Sequence, residues 1–258
     1  MIAKILVDNT AAKGFESVHG FSALIDNGEK ILFDVGPNSL FLENAERMGV
    51  NMNEIETVVL SHGHWDHGDA LSCMSGKRLI LHPDCFTKRF RKRNNTHVGL
   101  SMTREELKLK YSLTESKDPF WINDGMVFLG EIPRENDFES KSSPFLLADG
   151  SPDFVSDDSA IAIRNKKGLI VISGCAHAGI CNTIAYAKKV FSEEKVYAVL
   201  GGFHLKELDK LTERTIQFFQ NEKIEIAGPT HCTSFKVRDE FKKYLHVIDL
   251  EAGKQIEL

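Results

Sequence analysis

Along the first third of the chain, short apolar runs alternate with polar turns. Residues 2–7 carry a loose strand alternation. Phe21-Ser22-Ala23-Leu24-Ile25 and Ile31-Leu32-Phe33 flank Asp26-Asn27-Gly28, two β-type runs around an Asn-Gly pair, which predicts a hairpin. Pro37-Asn38-Ser39 opens a helix whose apolar positions, Leu40, Phe41, Ala45 and Met48, recur at helical spacing and stop at Gly49. The apolar run 57–60 predicts the next strand, and 68–71 a short helix. Between 77 and 152 the periodicity weakens. A strand at 78–81, an amphipathic segment near 104–111 and a strand pair around 120–132 are all that it predicts, and the segment reads as an insertion that shapes a substrate pocket on a fixed scaffold. Regularity returns with strands at 159–163 and 168–173 around Asn165-Lys166-Lys167. A helix at 182–191, a strand at 196–200, a helix at 207–220, a strand at 224–226, a helix near 236–244 and closing strand segments at 246–249 and 255–257 follow. The alternation predicts an α/β protein, a single domain 1–258 made of two βα-type halves, with no linker and no short repeat.

Composition narrows the class. The 258 residues are 42% hydrophobic and 27% charged, as in a globular protein with a sizeable core. A net charge of −5 argues against a general nucleic-acid surface. No apolar run approaches the roughly 18 residues of a membrane span, and charges at Lys4 and Asp8 make the N-terminus read as a first strand rather than a signal peptide. Five cysteines, an odd number without a paired spacing, fit a reducing compartment, so the expected location is cytoplasmic. One dense basic run, Lys88-Arg89-Phe90-Arg91-Lys92-Arg93, reads either as a solvated face or as an arginine clamp for a phosphate or carboxylate. His82 and His97, in the same region, have no ligand spacing and read as ordinary polar residues.

Directly after the strand at 57–60 comes Ser61-His62-Gly63-His64-Trp65-Asp66-His67-Gly68, three imidazoles and a carboxylate within six positions. In an extended segment His62 and His64 project to one side, while Asp66 and His67 turn back toward a second point. One segment then supplies parts of two adjacent metal sites. A polar loop that merely happens to be rich in histidine is the plainer alternative, but the H-x-H-x-D-H spacing after a strand favours metal.

In the second half, three apolar strands each end in a loop containing histidine: Gly174-Cys175-Ala176-His177-Ala178-Gly179, Gly201-Gly202-Phe203-His204-Leu205 and Gly228-Pro229-Thr230-His231-Cys232-Thr233. Strand ends on one sheet edge meet in space, and small neighbours allow close approach. His177 and His231 are therefore predicted as metal ligands. His204 is left open between ligand, substrate contact and support of a ligand. Cys175 and Cys232 are either soft-metal thiolates or small buried thiols.

The H-x-H-x-D-H run resembles the signature of the metallo-β-lactamase superfamily. With His19-Gly20-Phe21-Ser22, the Asp69 that completes the run, the Gly174 to Ile180 loop, Gly201 to Leu205 and Pro229 to Thr233, the resemblance narrows to the subgroup of the archaeal dihydropterin ribofuranosylaminobenzene phosphate synthase, which also takes in bacterial proteins of metal-dependent hydrolase type. The resemblance implies a four-layer αββα sandwich, a binuclear metal centre and, for Asp34 in Asp34-Val35-Gly36, a carboxylate that supports the metal loop from behind. The chain departs from the pattern in one place. Where typical dizinc members carry a bridging aspartate after a second-half strand, it has Gly174-Cys175-Ala176-His177, so Cys175, His177, Asp157 or Asp158 takes that place, or a single metal suffices.

The expected activity is metal-dependent hydrolysis of a small anionic, phosphorylated molecule. One or two divalent ions, zinc first with iron or manganese also suited, are held by His62, His64, Asp66, His67, His177 and His231. A metal-bound water, its pKa lowered from about 15.7 to roughly 7, would act as hydroxide, with Asp66 and His204 as catalytic residues. The alternative is a transferase joining a dihydropterin methyl group to a ribofuranosylaminobenzene 5'-phosphate. A metal-binding redox module is a third class, but no G-x-G-x-x-G follows a strand to carry a flavin. Neither nucleic acid nor membrane is expected as a partner, and the oligomeric state is not legible.

Overall fold

The Asn27-Gly28 hairpin forms as predicted, with Gly28 at φ 93° and the register Ala23 to Phe33, Leu24 to Leu32, Ile25 to Ile31, in a computed structural model that describes residues 1–258. In chain order the first strands are β1 (Ile2–Val7), β2 (Ser22–Asp26), β3 (Lys30–Phe33), β4 (Thr57–Val59), β5 (Arg78–Leu81), β6 (Arg89–Arg91), β7 (Ser112–Glu115), β8 (Phe120–Asn123) and β9 (Met126–Phe128). They are followed by β10 (Phe145–Leu147), β11 (Pro152–Asp153), β12 (Ala160–Asn165), β13 (Gly168–Ser173), β14 (Val196–Gly202), β15 (Ile226–Thr230) and β16 (Gln255–Glu257). The helices are α1 (Leu40–Arg47), α2 (Trp65–Gly68), α3 (Arg104–Lys110), α4 (Ile180–Phe191), α5 (Lys210–Asn221) and α6 (Phe235–Lys242). None is long and apolar enough to cross a membrane. The chain divides into two compact units: Met1–Lys117 with Ser143–Asp153 and Glu251–Leu258, and Asp118–Ser142 with Phe154–Leu250.

The first unit is built on a seven-stranded sheet in the order β16-β1-β2-β3-β4-β5-β7. It is antiparallel from β16 to β3 and parallel from β3 to β7. β4 lies between β3 and β5 with every residue buried, which is why its sequence is an unbroken apolar run rather than an alternation. Leu24, Leu32, Phe41, Val58, Leu60, Leu79 and Leu107 form the core. The strands β6, β10 and β11 make a separate three-stranded sheet. The irregular segment 77–152 thus contributes to three sheets, since β5 and β7 extend the large sheet while β8 and β9 belong to the second unit. Its strands are two to four residues long, too short to display a period.

The second unit has a six-stranded sheet, β15-β14-β13-β12-β9-β8. Its β13, β14 and β15 are parallel neighbours, connected through α4 and α5, so their C-terminal ends lie side by side at Ser173, Gly201–Gly202 and Thr230. The sheet-edge convergence inferred from the sequence is present. The last strand starts at Ile226 rather than 224 and runs on through Pro229. Ile224 is buried but sits in the turn after α5, its amide donating to the Phe219 carbonyl, so apolar character placed the strand too early. Pro229 is tolerated because β15 is an edge strand. Similarly, α5 starts at Lys210 instead of 207, because the Asp209 side chain caps it by accepting from the Thr212 amide.

Candidate metal centre

In the first unit, β4 delivers Ser61 to Gly68 into a buried site. His62, His64, Asp66 and His67 are 0, 4, 8 and 0% exposed. The short helix begins at Trp65, three residues earlier than expected, so Asp66 and His67 lie inside its single turn. The extended backbone at His64 keeps its ring beside that of His62, with His62 Nε2 and His64 Nδ1 2.9 Å apart. The His62 and His67 rings are 4.3 Å apart between centroids. The close turn needs Gly63, since a Cβ there would lie 1.9 Å from the Cys85 carbonyl oxygen.

Asp34 organises the motif from behind. Its Oδ1 accepts the Ser61 amide at 2.7 Å, and its Oδ2 accepts both the Ser61 hydroxyl and His67 Nδ1, each at 2.7 Å. A carboxylate only accepts, so the Ser61 proton is committed to Asp34 and Ser61 Oγ accepts from His62 Nδ1 at 2.9 Å. Both imidazoles are thereby fixed as Nδ1–H tautomers, so each Nε2 carries a lone pair, that of His62 facing His64 Nδ1. Burial first, then the neighbouring imidazoles of His67 and His64, push His62 well below the ordinary histidine pKa, so it is neutral. Neutral imidazoles with lone pairs oriented by a buried carboxylate, next to Asp66, suit a divalent cation.

Asp66 Oδ2 lies 3.1 Å from His19 Nε2, which is half-exposed, and the Asp66 carbonyl receives the Phe21 amide. The His64 ring packs 4.7 Å from Phe145. Of the basic run, Lys88, Lys92 and Arg93 are exposed, as a solvated face would be. Arg89 is not. It is 1% exposed, its Nε 3.2 Å from Asp153 Oδ2, and its charge also disfavours protonation of His62. Ser61, Arg89 and Phe145 were not picked out individually from the sequence. Ser61 adjoins the motif and Arg89 lies in the basic run, but Phe145 carries no local signal.

In the second unit the three histidine loops leave the adjacent ends of β13, β14 and β15. His177 and His204 rings are 4.4 Å apart, and His231 is 3% exposed. Ala176, His204 and His231 have left-handed backbones, φ 52°, 53° and 48°, unusual for residues other than glycine, asparagine or aspartate. They are held by local bonds. The Phe203 amide donates to Thr233 Oγ1 at 2.9 Å, the His204 amide to Cys232 Sγ at 3.3 Å, and Cys232 Sγ to the Cys175 carbonyl at 3.5 Å. The buried Cys232 thiol, itself in the third loop, therefore ties all three loops together. Asp158, named with Asp157 as a stand-in for the absent aspartate, turns Oδ2 onto the Ala178 amide at 2.8 Å. Burial pushes its carboxyl up to about 7 against the amides of Ala178 and His177 and the charge of Arg134.

A model described as the metallo-beta-lactamase superfamily matches residues 18–68, which include Asp34 and the whole histidine motif. An uncharacterised protein of Methanocaldococcus jannaschii is 35% identical, over 98% of both chains. The 7,8-dihydropterin-6-methyl-4-(beta-D-ribofuranosyl)-aminobenzene-5'-phosphate synthase of the same organism is 32% identical over 94% of this chain and 91% of its own. Among solved structures, a metal-dependent hydrolase of the beta-lactamase superfamily superposes with a TM-score of 0.90 at 30% identity, covering 100% of this chain and 99% of the other. The fold class expected from the motifs, α/β of the metallo-β-lactamase type, is the one observed. The chain belongs to the metallo-β-lactamase superfamily, in the subgroup that resembles the archaeal dihydropterin ribofuranosylaminobenzene phosphate synthase.

Proposed function

We propose that the protein is a metal-dependent hydrolase acting on a small anionic, phosphorylated molecule. Its proposed ligands are His62, His64, Asp66, His67, His177 and His231, for one or two divalent ions, with zinc the first choice. The observation that carries this reading is the buried donor set whose tautomers Asp34 and Ser61 hold ready. When bound, a divalent cation in such a set supplies Lewis-acid polarisation and activation of water.

The chain's own residues do the rest. Asp34 retains the proton on His67 Nδ1, and Ser61 receives the one on His62 Nδ1, so neither Nε2 is protonated. Asp66 brings negative charge, with His19 beside it to hold its carboxylate. His204, partly exposed and against His177, is proposed to contact the substrate. The exposed cations of the run at 88–93 favour an anionic one.

Elemental analysis of protein prepared without added metal, followed by an activity screen over phosphodiesters, lactones, thioesters and pterin phosphates, tests the reading. About one or two equivalents of transition metal are expected, with His64→Ala losing both metal and activity. A metal-free active protein, or a His64→Ala variant with metal content and activity intact, overturns it. Similarity to the synthase over 94% of the chain favours transfer as a second reading. Incubation with a dihydropterin and the ribofuranosylaminobenzene phosphate, with chromatography for the coupled product, separates the two.

A further inference from the structure

His177 sits in a turn whose backbone is held by two buried carboxylates that lie outside the histidine motifs. Asp158, just before β12, is 1% exposed and accepts the Ala178 amide at 2.8 Å. Glu139 lies in the segment between β9 and β10 and is 2% exposed. It accepts the Cys181 amide through Oε1 and the Asn182 amide through Oε2, each at 2.9 Å.

These are the first amides of α4, which have no partner within the helix and whose own capping residue, Gly179, has no side chain to offer. Asn182 fastens the same segment in return. Its Oδ1 accepts the amides of Glu135 and Asn136 at 3.1 and 3.0 Å, and its Nδ2 donates to the Ala178 carbonyl at 2.8 Å. Asn136 Nδ2 then donates to Glu139 Oε2 at 2.6 Å. Gly179 is required twice over, by φ 103° and because a Cβ would lie 2.3 Å from Glu139 Oε2.

Burying two carboxylates to bind three backbone amides is costly for mere chain folding, since neutral acceptors would satisfy the same groups with less desolvation. The arrangement repeats what Asp34 does in the first unit, where a buried carboxylate grips the backbone at Ser61 next to a proposed ligand. The two carboxylates hold the backbone amides of Ala178, Cys181 and Asn182, directly after His177.

We infer that Asp158 and Glu139 are positioning residues for His177: they set the backbone of its turn so that the imidazole is presented to a metal, without either carboxylate being a ligand. This rests on the proposed role of His177. It also gives Asp158 a place other than that of the bridging aspartate.

The test uses the full-length protein and zinc, with affinity measured by chelator competition and turn mobility by amide hydrogen exchange of the zinc-free form. Asp158→Ala is expected to speed exchange at Ala178, and Glu139→Ala at Cys181 and Asn182. Each is expected to weaken zinc binding by about 10–100-fold, whereas Asp158→Asn, which keeps an acceptor oxygen, recovers most of the loss. Should Asp158→Ala fail to fold, the Glu139→Ala and Glu139→Gln pair carries the same comparison. Faster exchange and a lower melting temperature with zinc affinity within twofold of the parent mean that the carboxylates only stabilise the fold, and the inference fails. His177→Ala separates the two levels. If it weakens zinc binding while the carboxylate variants do not, the positioning role alone is lost. If it leaves zinc binding unchanged, the ligand role of His177 falls and the positioning role with it.

Discussion

Asp34 adopts a left-handed backbone, φ 56°, at the end of β3, a conformation that aspartate and asparagine tolerate better than other residues with a Cβ. From there its two oxygens reach the Ser61 amide, the Ser61 hydroxyl and His67 Nδ1. Three donors meet a group that only accepts. Replacing Asp34 by Asn keeps the backbone preference and the size but puts an NH2 where an acceptor stood, so either His67 or Ser61 loses its partner. Zinc affinity of Asp34→Asn is expected to fall about 10–100-fold, with the far-ultraviolet circular dichroism unchanged. Chelator competition measures the first, and an affinity equal to the parent's would show that the tautomer of His67 is fixed by something else.

Among the elements, α4 is the one whose start depends on a side chain from a distant segment. Burial raises the Glu139 pKa, while the amides of Cys181 and Asn182 and the Asn136 side chain oppose the rise. A group with a raised folded-state pKa binds its proton more tightly when folded. Its contribution to stability is fully present below the unfolded value of about 4.5 and declines as pH rises through the folded value. Urea unfolding of the zinc-free protein and of Glu139→Gln across pH 4 to 8 should show the stability difference, parent minus variant, falling with rising pH. A pH-independent difference would mean that Glu139 has the same pKa folded and unfolded.

For the molecule as a whole, metal and fold are linked through mass action. A cation that binds the folded chain alone stabilises it by about 2.7 kcal/mol at a free concentration one hundred times Kd. In a chain of this size that corresponds to a rise in Tm of roughly 5–10 °C. Calorimetry with and without zinc should show that rise in the parent and none in His64→Ala. An unshifted parent would argue against a site formed in the folded state.

Much was legible because local chemistry declares itself locally. The Asn27-Gly28 hairpin, the buried β4 and the H-x-H-x-D-H run that follows it all depend on neighbours a few residues away. The expected support by Asp34 came from the resemblance of Asp34-Val35-Gly36 to its family, and the geometry agrees. The edge at which His177, His204 and His231 emerge followed from three strands of one direction ending in similar loops. Other features depended on partners distant in sequence. Arg89 looked like one member of a charged run, and only the strand pairing of β6 with β10 and β10 with β11 sets it against Asp153, buried. Ile224 looked like strand, but the hydrogen bonds of the turn after α5 claim it. Glu139 carried no signal, because its three acceptor bonds join residues 42, 43 and 3 positions away. Apolar period and ligand spacing are short-range properties that a linear chain displays directly. Which carboxylate holds which backbone amide is decided when the chain closes on itself.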